Sequence, residues 1–256
     1  MIDIHCHVLP GVDDGAATLE ESLAMVRMAA EEGITDIVAT PHTEDGVYSN
    51  SAFEVINSVK ILQQAVDIHN IPVRIHPGSE VHVHINLLEN ICFSRVLTLK
   101  NMGRYILLEL PVQTIPPFTE DLIHDLRANG LTPIIAHPER NALLREQPVR
   151  LAQLIRLGAI AQITAGSLTG AIGKRIRQSA EYMVRNWLVQ LVASDAHSTH
   201  RRPPGLTGAY QVISRLVPKE GVSLFQSNAS AVLRGETCTV LTPRVSTDWK
   251  KYFWFF

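Results

Sequence analysis

The chain has 256 residues, 46% of them hydrophobic, and a formal net charge of −2, so it can bury a sizeable core. Because the net charge is close to zero, the chain does not belong to the strongly basic proteins that bind nucleic acid or a membrane surface by charge alone. The three cysteines have no disulfide spacing, no secretory signal is apparent, and no run of about eighteen apolar residues could span a membrane. These features predict a soluble, cytoplasmic protein without a transmembrane segment.

Short apolar runs rich in β-branched residues alternate with stretches of helical period along most of the chain. Thr18 and Glu21 predict a capping box at the start of the first helix, and Gly33 predicts its end. Further helices are expected over residues 121–129 and 166–187. The predicted strands, in chain order, span residues 2–5, 36–40, 73–77, 104–110, 132–137, 159–164 and 188–194.

Seven strand-then-helix units without a linker predict an α/β fold with a parallel sheet and right-handed crossovers. An incomplete (β/α) barrel would close such a sheet more naturally than an open arrangement. Because no composition break or repeat interrupts the pattern, we expect one domain over residues 1–256. Its last residues, 248–256, form an aromatic and basic tail, DWKKYFWFF. The tail could be an interfacial anchor, a docking peptide, a self-association strip or a packed terminus.

Histidines and carboxylates recur where the predicted strands end. Six of them lie at or just after the C-terminal end of a different strand. The carboxyl ends of parallel strands meet at one face, where α/β barrels build their active sites. One such residue could be structural, but six on six strands predict a site. These residues are His5, His42, Glu80, Glu109, His137 and Asp195.

Two of these residues have a polar neighbour two positions further along. In the opening stretch MIDIHCH, His5 and His7 would share one face of a strand, while Cys6 would face away and pack. A metal ion that binds both imidazoles is the usual explanation for such a pair. Asp195 and His197 repeat the spacing in the stretch SDAH. The chain therefore carries two alternating ligand pairs.

Asp14, in the stretch VDDGA, completes the candidate ligand set. An acidic turn before a helix would also explain it, but the stretch HCH just upstream favours a ligand. Glu109 is flanked by leucines, where a carboxylate is costly to bury without a cation or hydrogen bonds. His82 and His84 form a second HxH pattern in a segment expected to turn into a helix, so we interpret them as non-ligands. The predicted ligands are His5, His7, Asp14, His42, Glu80, Glu109, His137, Asp195 and His197.

Nine nitrogen and oxygen ligands without a thiolate are too many for one ion, so two or three ions that share a bridging carboxylate fit better. Mn²⁺, Fe, Zn or Co would accept this set. Such ions lower the pKa of a bound water to about 7. Arg140 and Arg202 lie close to the ligands in sequence, and guanidinium groups suit phosphate oxygens. The pattern predicts that metal-bound hydroxide attacks a phosphoryl group held by the arginines.

One stretch matches the motif spacing of a different class of phosphatase. CTVLTPR, from Cys238 to Arg244, has the C-x5-R spacing of cysteine-dependent phosphatases. Those loops are rich in glycine, so that backbone N–H groups can bind phosphate at a helix N-terminus. No glycine lies within this stretch and no clear helix follows it, so we expect no catalytic role for Cys238.

The stretches HCH, DDGA, ATPH, GSEV, IAHPERN and SDAH, in this order, resemble the polymerase-and-histidinol-phosphatase (PHP) superfamily. More narrowly, they resemble the manganese-dependent protein-tyrosine phosphatases of Gram-positive capsule and exopolysaccharide operons. The resemblance runs from Met1 to about Asn228 and includes ITAGSLTGAIGKRIR. It implies a single distorted (β/α)7 TIM-like barrel with a trinuclear manganese site.

The resemblance also implies roles for individual residues. Arg140 and Arg202 would hold the substrate phosphate, with Arg201 as a neighbouring candidate for the second position. Three metal groups are implied: His5, His7, Glu80 and Asp195; Glu80, Glu109 and His137; and Asp14, His42 and His197.

The substrate implied by the resemblance is a phosphotyrosine protein, namely an autophosphorylating bacterial tyrosine kinase that controls capsular or extracellular polysaccharide synthesis. Such a kinase would bring the phosphatase to the membrane periphery. A homo-oligomer is also compatible with the resemblance, whereas nucleic acid is not an expected partner. A phenolate, with a pKa of about 10, leaves far more easily than an alkoxide, so a weak or absent general acid would suffice.

Three other functions remain open from the residues. A PHP phosphatase could act on a small metabolite such as histidinol phosphate, or on a phosphodiester. A metal-dependent amidohydrolase is disfavoured because no lysine lies at a predicted strand end and arginines suited to phosphate are present. A non-catalytic regulator that binds phosphotyrosine is disfavoured because no ligand position is lost.

Overall fold

The computed structural model of the protein describes residues 1–44 and 46–245. The aromatic and basic tail, residues 248–256, therefore lies outside the described residues. Within them the chain forms nine β-strands: β1 (Ile2–Cys6), β2 (Asp36–Ala39), β3 (His42–Thr43), β4 (Arg74–Pro77), β5 (Glu80–His82), β6 (Tyr105–Glu109), β7 (Thr132–Ala136), β8 (Ile160–Thr164) and β9 (Leu191–Ala193).

Ten α-helices of the described residues connect and cover these strands. They are α1 (Leu19–Glu31), α2 (Ala52–Ile68), α3 (Leu87–Cys92), α4 (Thr119–Ala128), α5 (Ala142–Glu146), α6 (Pro148–Arg156), α7 (Ala165–Thr169), α8 (Lys174–Arg185), α9 (Thr207–Leu216) and α10 (Lys219–Arg234). In the described part of the chain, none of these helices has both the length and the apolar character that crossing a membrane requires.

The strands form two parallel sheets, with the orders β1-β2-β4 and β3-β5-β6-β7-β8-β9. Each pairing between neighbouring strands is parallel. The predicted α/β fold with parallel strands is therefore confirmed. The seven predicted strands all form, and their ends differ from the predicted ends by at most three residues.

The two short strands β3 and β5 continue the directions of β2 and β4 after an interruption that the sequence pattern did not predict. Pro41, which has no backbone N–H to donate, lies in the first interruption. Gly78 lies in the second, where a Cβ atom would come within 2.9 Å of Cγ1 of Val38. His82 belongs to β5, so the expectation that the chain turns towards a helix directly after Glu80 was wrong. The helix there begins only at Leu87.

The first strand and the segment after the last strand are also hydrogen-bonded. Cys6 and Ala196 form an isolated parallel bridge. The backbone N–H of His7 donates to the carbonyl of Ala196 at 2.9 Å, and that of Asp195 donates to the carbonyl of His5 at 2.9 Å. The N- and C-terminal strands of the sheets therefore lie side by side.

The strands bury apolar side chains on both faces, as parallel sheets between helices do. Tyr105 and Leu107 of β6 belong to one cluster, which also contains Ala229 and Val232 of α10. Ile106, whose side chain lies on the opposite face of β6, belongs to the larger cluster beneath the surrounding helices. We call the first the inner cluster and the second the outer cluster.

The helix starts follow the predicted capping only in part. The side chain of Thr18 accepts a hydrogen bond from the N–H of Glu21, but the carboxylate of Glu21 accepts from Ala17 instead of Thr18. A complete capping box forms at Ser51 and Glu54, where it was not predicted. The single helix expected over residues 166–187 is two helices, α7 and α8, because the chain turns between them at two glycines with positive φ.

Candidate metal centre

The nine predicted ligands lie close together at the carboxyl-end face of the sheets, beside a cavity of about 390 Å³. The cavity takes lining residues from strands β3, β5 and β6 and from the loops after β1, β3, β7 and β9, so sequence-distant segments meet there. Its lining comprises Asp14, His42, Val47, Tyr48, His82, Glu109, His137, Arg140, Asp195, His197 and Arg202. This is the arrangement expected of an active site on a parallel α/β fold.

The two histidines of the stretch HCH are buried, and the ring of His7 lies next to those of the lining residues His42 and His197. The Nε2 atoms of His5 and His7 are 3.1 Å apart, and Cys6 is buried in the outer cluster, as predicted. Oε2 of Glu80 lies 3.2 Å from Nε2 of both His5 and His7. Oδ1 of Asp195 lies 3.4 Å from Nε2 of His5. Four side chains from three separate segments thus converge on one point.

Hydrogen bonds on the far side of each imidazole orient the pair. Nδ1 of His5 donates to Oε1 of Gln162 at 2.9 Å, and Nδ1 of His7 donates to Oδ2 of Asp13 at 2.7 Å. With Nδ1 carrying a proton, Nε2 is the nitrogen that can bind a metal ion. A carboxylate or amide behind a metal-binding histidine is the usual means of holding its ring.

The donor set fits divalent metal ions. Oε2 of Glu80 and Oδ1 of Asp195 are buried, and the groups of the described residues that lie nearest to them with suitable charge are imidazole nitrogens, which do not satisfy them as well-formed hydrogen-bond donors. Buried carboxylate oxygens without partners are costly, and both of these oxygens face imidazole nitrogens. Imidazole nitrogen with carboxylate oxygen is a ligand combination that Mn, Fe, Zn and Co accept.

Two further groups of candidate ligands adjoin the first. Nε2 of His137 lies 2.9 Å from Oε1 of Glu80 and 3.8 Å from Oε1 of Glu109. Nδ1 of His42 lies 3.4 Å from Oε2 of Glu80, so Glu80 is shared between groups. The atoms of the third group lie within 4.8 Å of one another; its members are His7, Asp14, His42 and His197. The structure thus adds His7 to the group implied by the resemblance.

The charges within this cluster are strongly coupled. Burial by itself would lower the pKa of His7, but the hydrogen bond to Asp13 and the negative charge of the adjacent Glu80 raise it to about 10. Burial by itself would raise the pKa of Glu80, but the charge of His5 and a hydrogen bond from His137 hold that pKa well below its usual range. Protons and metal ions therefore compete for the same nitrogens.

Two candidate ligands have a left-handed backbone conformation. His137 has φ of 31° and Asp195 has φ of 53°. A residue other than glycine in this region costs on the order of 1–3 kcal/mol, and such strain collects at functional sites. His137 directly follows β7 and Asp195 lies two residues after the end of β9, so the turn after each strand also orients its candidate ligand.

The three candidate arginines differ in whether their side chains reach the cavity. Nη1 of Arg140 lies 2.8 Å and Nη2 of Arg202 lies 2.5 Å from Oδ2 of Asp195, and both side chains line the cavity. Arg201 is exposed and is not one of the lining residues among the part of the chain that the structure describes. The backbone of Arg202 closes a tight turn, because its carbonyl accepts from the N–H groups of His197 and Ser198.

Several residues of the site were not predicted. Glu139 is completely buried and accepts hydrogen bonds from the backbone of Thr164 and the hydroxyl of Ser167, so it supports the turn that carries Arg140. Gln162 interrupts the apolar strand IAQIT in the same way that Glu109 interrupts its strand. That interruption was the available sequence signal for Gln162.

Asp13 was also missed, since only its neighbour Asp14 was predicted to be a ligand. Its carboxylate accepts from Nδ1 of His7 and from the N–H groups of Gly15 and His42. Gly15 allows this loop to fold over His7, because a Cβ atom there would lie 2.1 Å from the carbonyl oxygen of His7. Asp14 instead points towards Nε2 of His197 at 3.3 Å.

Replacing Asp13 by asparagine is expected to weaken metal binding about 10- to 100-fold, because the amide holds the ring of His7 with less charge. Binding can be measured by competition with a chromophoric chelator. The matched variant Asp14→Asn removes a candidate ligand itself and is expected to lower the number of ions bound per chain. Unchanged metal affinity in Asp13→Asn would contradict the role of Asp13.

The cysteines and the second HxH pattern lie outside the ligand cluster. Cys238 is buried against Tyr105 and Asn228, and burial raises the pKa of its thiol. A thiol that resists ionisation is a poor nucleophile, in keeping with the prediction from its stretch. Nε2 of His84 lies 3.2 Å from Oε2 of Glu44. His82 lines the cavity, with Nε2 3.7 Å from Oε2 of Glu109.

Known proteins match this chain along nearly all of its length. The family model for capsular polysaccharide synthesis, CpsB/CapC, matches residues 1–234. Tyrosine-protein phosphatase YwqE of Bacillus subtilis (strain 168) is 37% identical over 256 residues, which are 100% of each chain. The putative tyrosine-protein phosphatase CapC of Staphylococcus aureus is 34% identical over 255 residues, 100% of this chain and 99% of CapC.

A solved structure agrees with these relatives. It comes from crystal structures of YwqE from Bacillus subtilis and CpsB from Streptococcus pneumoniae, described as unique metal-dependent tyrosine phosphatases. The match has a TM-score of 0.94 and 36% sequence identity, and it covers 96% of this chain and 100% of that chain. The two proteins therefore share one fold over nearly the whole of this chain.

Proposed function

The chain belongs to the CpsB/CapC family of capsular polysaccharide synthesis, and we propose that it is a metal-dependent phosphatase that removes phosphate from tyrosine side chains of proteins. One observation supports this function above the others. Arg140 and Arg202 reach the same oxygen of Asp195 from two sides of the cavity that holds the histidine and carboxylate cluster. Guanidinium groups beside metal ligands suit a phosphate ester better than an amide.

The ligands would hold two or three divalent ions, and manganese suits their nitrogen and oxygen atoms without thiolate. When bound, such ions supply a water of lowered pKa and polarise the phosphoryl oxygens. The proposed ligands are His5, His7, Asp14, His42, Glu80, Glu109, His137, Asp195 and His197.

The remaining chemistry belongs to side chains that bind and orient the substrate. Arg140 and Arg202 would hold two phosphoryl oxygens and stabilise the charge that develops on them in the transition state. Asp195 holds both guanidinium groups in place, and Asp13 and Gln162 hold the imidazoles. A phenolate, with a pKa of about 10, leaves readily, so tyrosine phosphate does not require a strong general acid.

We further propose that the chain is a single domain whose strands close into a (β/α)7 barrel. The bridge between Cys6 and Ala196 supports closure, because it joins the first strand to the segment after the last. From the resemblance of its motifs, we also propose a cytoplasmic phosphatase whose substrate is an autophosphorylating bacterial tyrosine kinase, with homo-oligomers as a further expectation.

Chelation tests the proposal most directly. We expect purified protein to release phosphate from a phosphotyrosyl peptide, to lose at least about a hundredfold of this activity with EDTA, and to recover it with Mn²⁺. The matched variant Cys238→Ser should retain full activity, since its thiol is buried outside the cavity. Activity that persists after mass spectrometry shows the metal to be gone would contradict the proposal. Faster turnover of histidinol phosphate than of the peptide would favour the metabolite alternative.

A further inference from the structure

The cavity beside the ligand cluster has an uneven lining. Nine of its eleven lining residues carry a charged group or an imidazole. The other two, Val47 and Tyr48, are neighbours in the loop between β3 and α2. Val47 is 81% exposed. Among the described residues that line this cavity, the aliphatic and phenol side chains thus come from one short loop.

Contacts at both ends of this loop place it against the cluster. Thr43 and Ser49 form an antiparallel bridge across it. The side-chain amide of Asn50 donates to the carbonyl of His42 at 2.8 Å and to that of Val12 at 2.9 Å. The ring of Tyr48 lies nearly parallel to that of His42, at an interplanar angle of 10° and a centroid distance of 6.2 Å. Tyr48 is therefore positioned from the same backbone that carries a candidate ligand.

We propose that Val47 and Tyr48 form an aryl subsite on which the phenyl ring of phosphotyrosine packs, so that this loop selects aryl over alkyl phosphates. The inference rests on the proposed function, which places the phosphate at Arg140 and Arg202. A phenyl ring attached to that phosphate must leave the charged floor of the cavity and bury its apolar faces. Val47 and Tyr48 are the lining residues that offer such a surface. Phosphoserine has no ring to bury there and would gain nothing from it.

Binding of two phosphonates tests the subsite without any leaving group. Phenylphosphonate and methylphosphonate carry the same head group and differ only in the ring, so the ratio of their dissociation constants reports the ring contact. Isothermal titration calorimetry on the full manganese-loaded chain should give the wild type about tenfold tighter binding of phenylphosphonate. Val47→Ala and Tyr48→Ala should each reduce this ratio, and the double variant should bring it within about twofold of one.

Two variants serve as controls. Tyr48→Phe keeps the ring and should keep the ratio. Val112→Ala removes another exposed valine, from the loop after β6 and outside the cavity lining, and should leave both dissociation constants unchanged. Metal content by mass spectrometry checks that each variant retains its ions.

The outcomes distinguish a failure of the aryl subsite from a failure of the proposed phosphatase function. An equal affinity for the two phosphonates in the wild type, or a ratio that survives in the double variant, would overturn the aryl subsite. So would a failure of both phosphonates to bind. Hydrolysis of a phosphotyrosyl peptide by the wild type is measured in parallel. If that hydrolysis is absent, the proposed function fails as well; if it is present, only the subsite is lost.

Discussion

Replacing Glu80 by glutamine is expected to lower kcat/KM for a phosphotyrosyl peptide by at least about a thousandfold and to reduce the number of manganese ions bound per chain. Oε2 of Glu80 lies within 3.4 Å of nitrogens of His5, His7 and His42, and Oε1 lies 2.9 Å from Nε2 of His137. Glutamine keeps the size of the side chain, but it removes the charge and turns one oxygen into an N–H donor. A single substitution would therefore disturb every metal group that shares this carboxylate.

Steady-state kinetics and metal analysis of the purified variant check this expectation. Glu44→Gln is the matched control, because Glu44 pairs with His84 and belongs neither to the ligand cluster nor to the cavity lining. Glu80 is completely buried, so far-UV circular dichroism is needed to show that the variant folds. Glu80→Asp keeps the charge one methylene further back and should bind metal with intermediate affinity. Full activity with full metal content in Glu80→Gln would refute the bridging role.

The second large effect is expected from Arg202→Ala, with a loss of about 10²–10³ in kcat/KM and no loss of metal. Its guanidinium group reaches Asp195 inside the cavity and would stabilise charge on the phosphoryl oxygens in the transition state. Because Arg202 is not a metal ligand, metal analysis separates this effect from that of Glu80→Gln. Arg202→Lys should recover only part of the activity, since an ammonium group cannot bind two oxygens in the plane of a guanidinium fork.

Arg201 provides the control one position earlier in the chain. Its side chain is exposed, and its backbone N–H donates to the hydroxyl of Ser198. Arg201→Ala is expected to change kcat/KM by no more than about twofold. The resemblance alone left the assignment between these two arginines open by one residue. Equal losses in Arg201→Ala and Arg202→Ala would show that the turn positions both side chains on the substrate.

The sequence by itself determined most of the fold and which candidate ligands the fold brings together. Periodicity predicted seven strands, because burial between helices selects apolar, β-branched runs. Polar residues that interrupt or directly follow such runs, as Glu109 and His137 do, are costly unless they serve a site. The structure brings all nine predicted ligands together. The same reasoning could have reached Gln162, which interrupts its own strand.

Only the tertiary structure decided how these residues face. Simple alternation would put His5 on the opposite face from Ile4, which belongs to the inner cluster. The register of β1 shifts between Asp3 and Cys6, however, and His5 also turns inward to contact Gln162. Such an irregularity re-aims a side chain next to a site. It depends on pairing with other strands, which a local pattern of residues does not encode.

In two pairs of adjacent residues of the same type, the side chains point in different directions. Long-range contacts decide these directions as well. Asp13 turns back to His7 while Asp14 faces the cavity. Arg202 enters the cavity while Arg201 remains outside it. Local sequence reports how buried a segment is and which backbone period it prefers. The direction of a loop side chain is set by hydrogen bonds to partners many residues away, such as the link between Asp13 and His42, and these exist only once the strands are assembled.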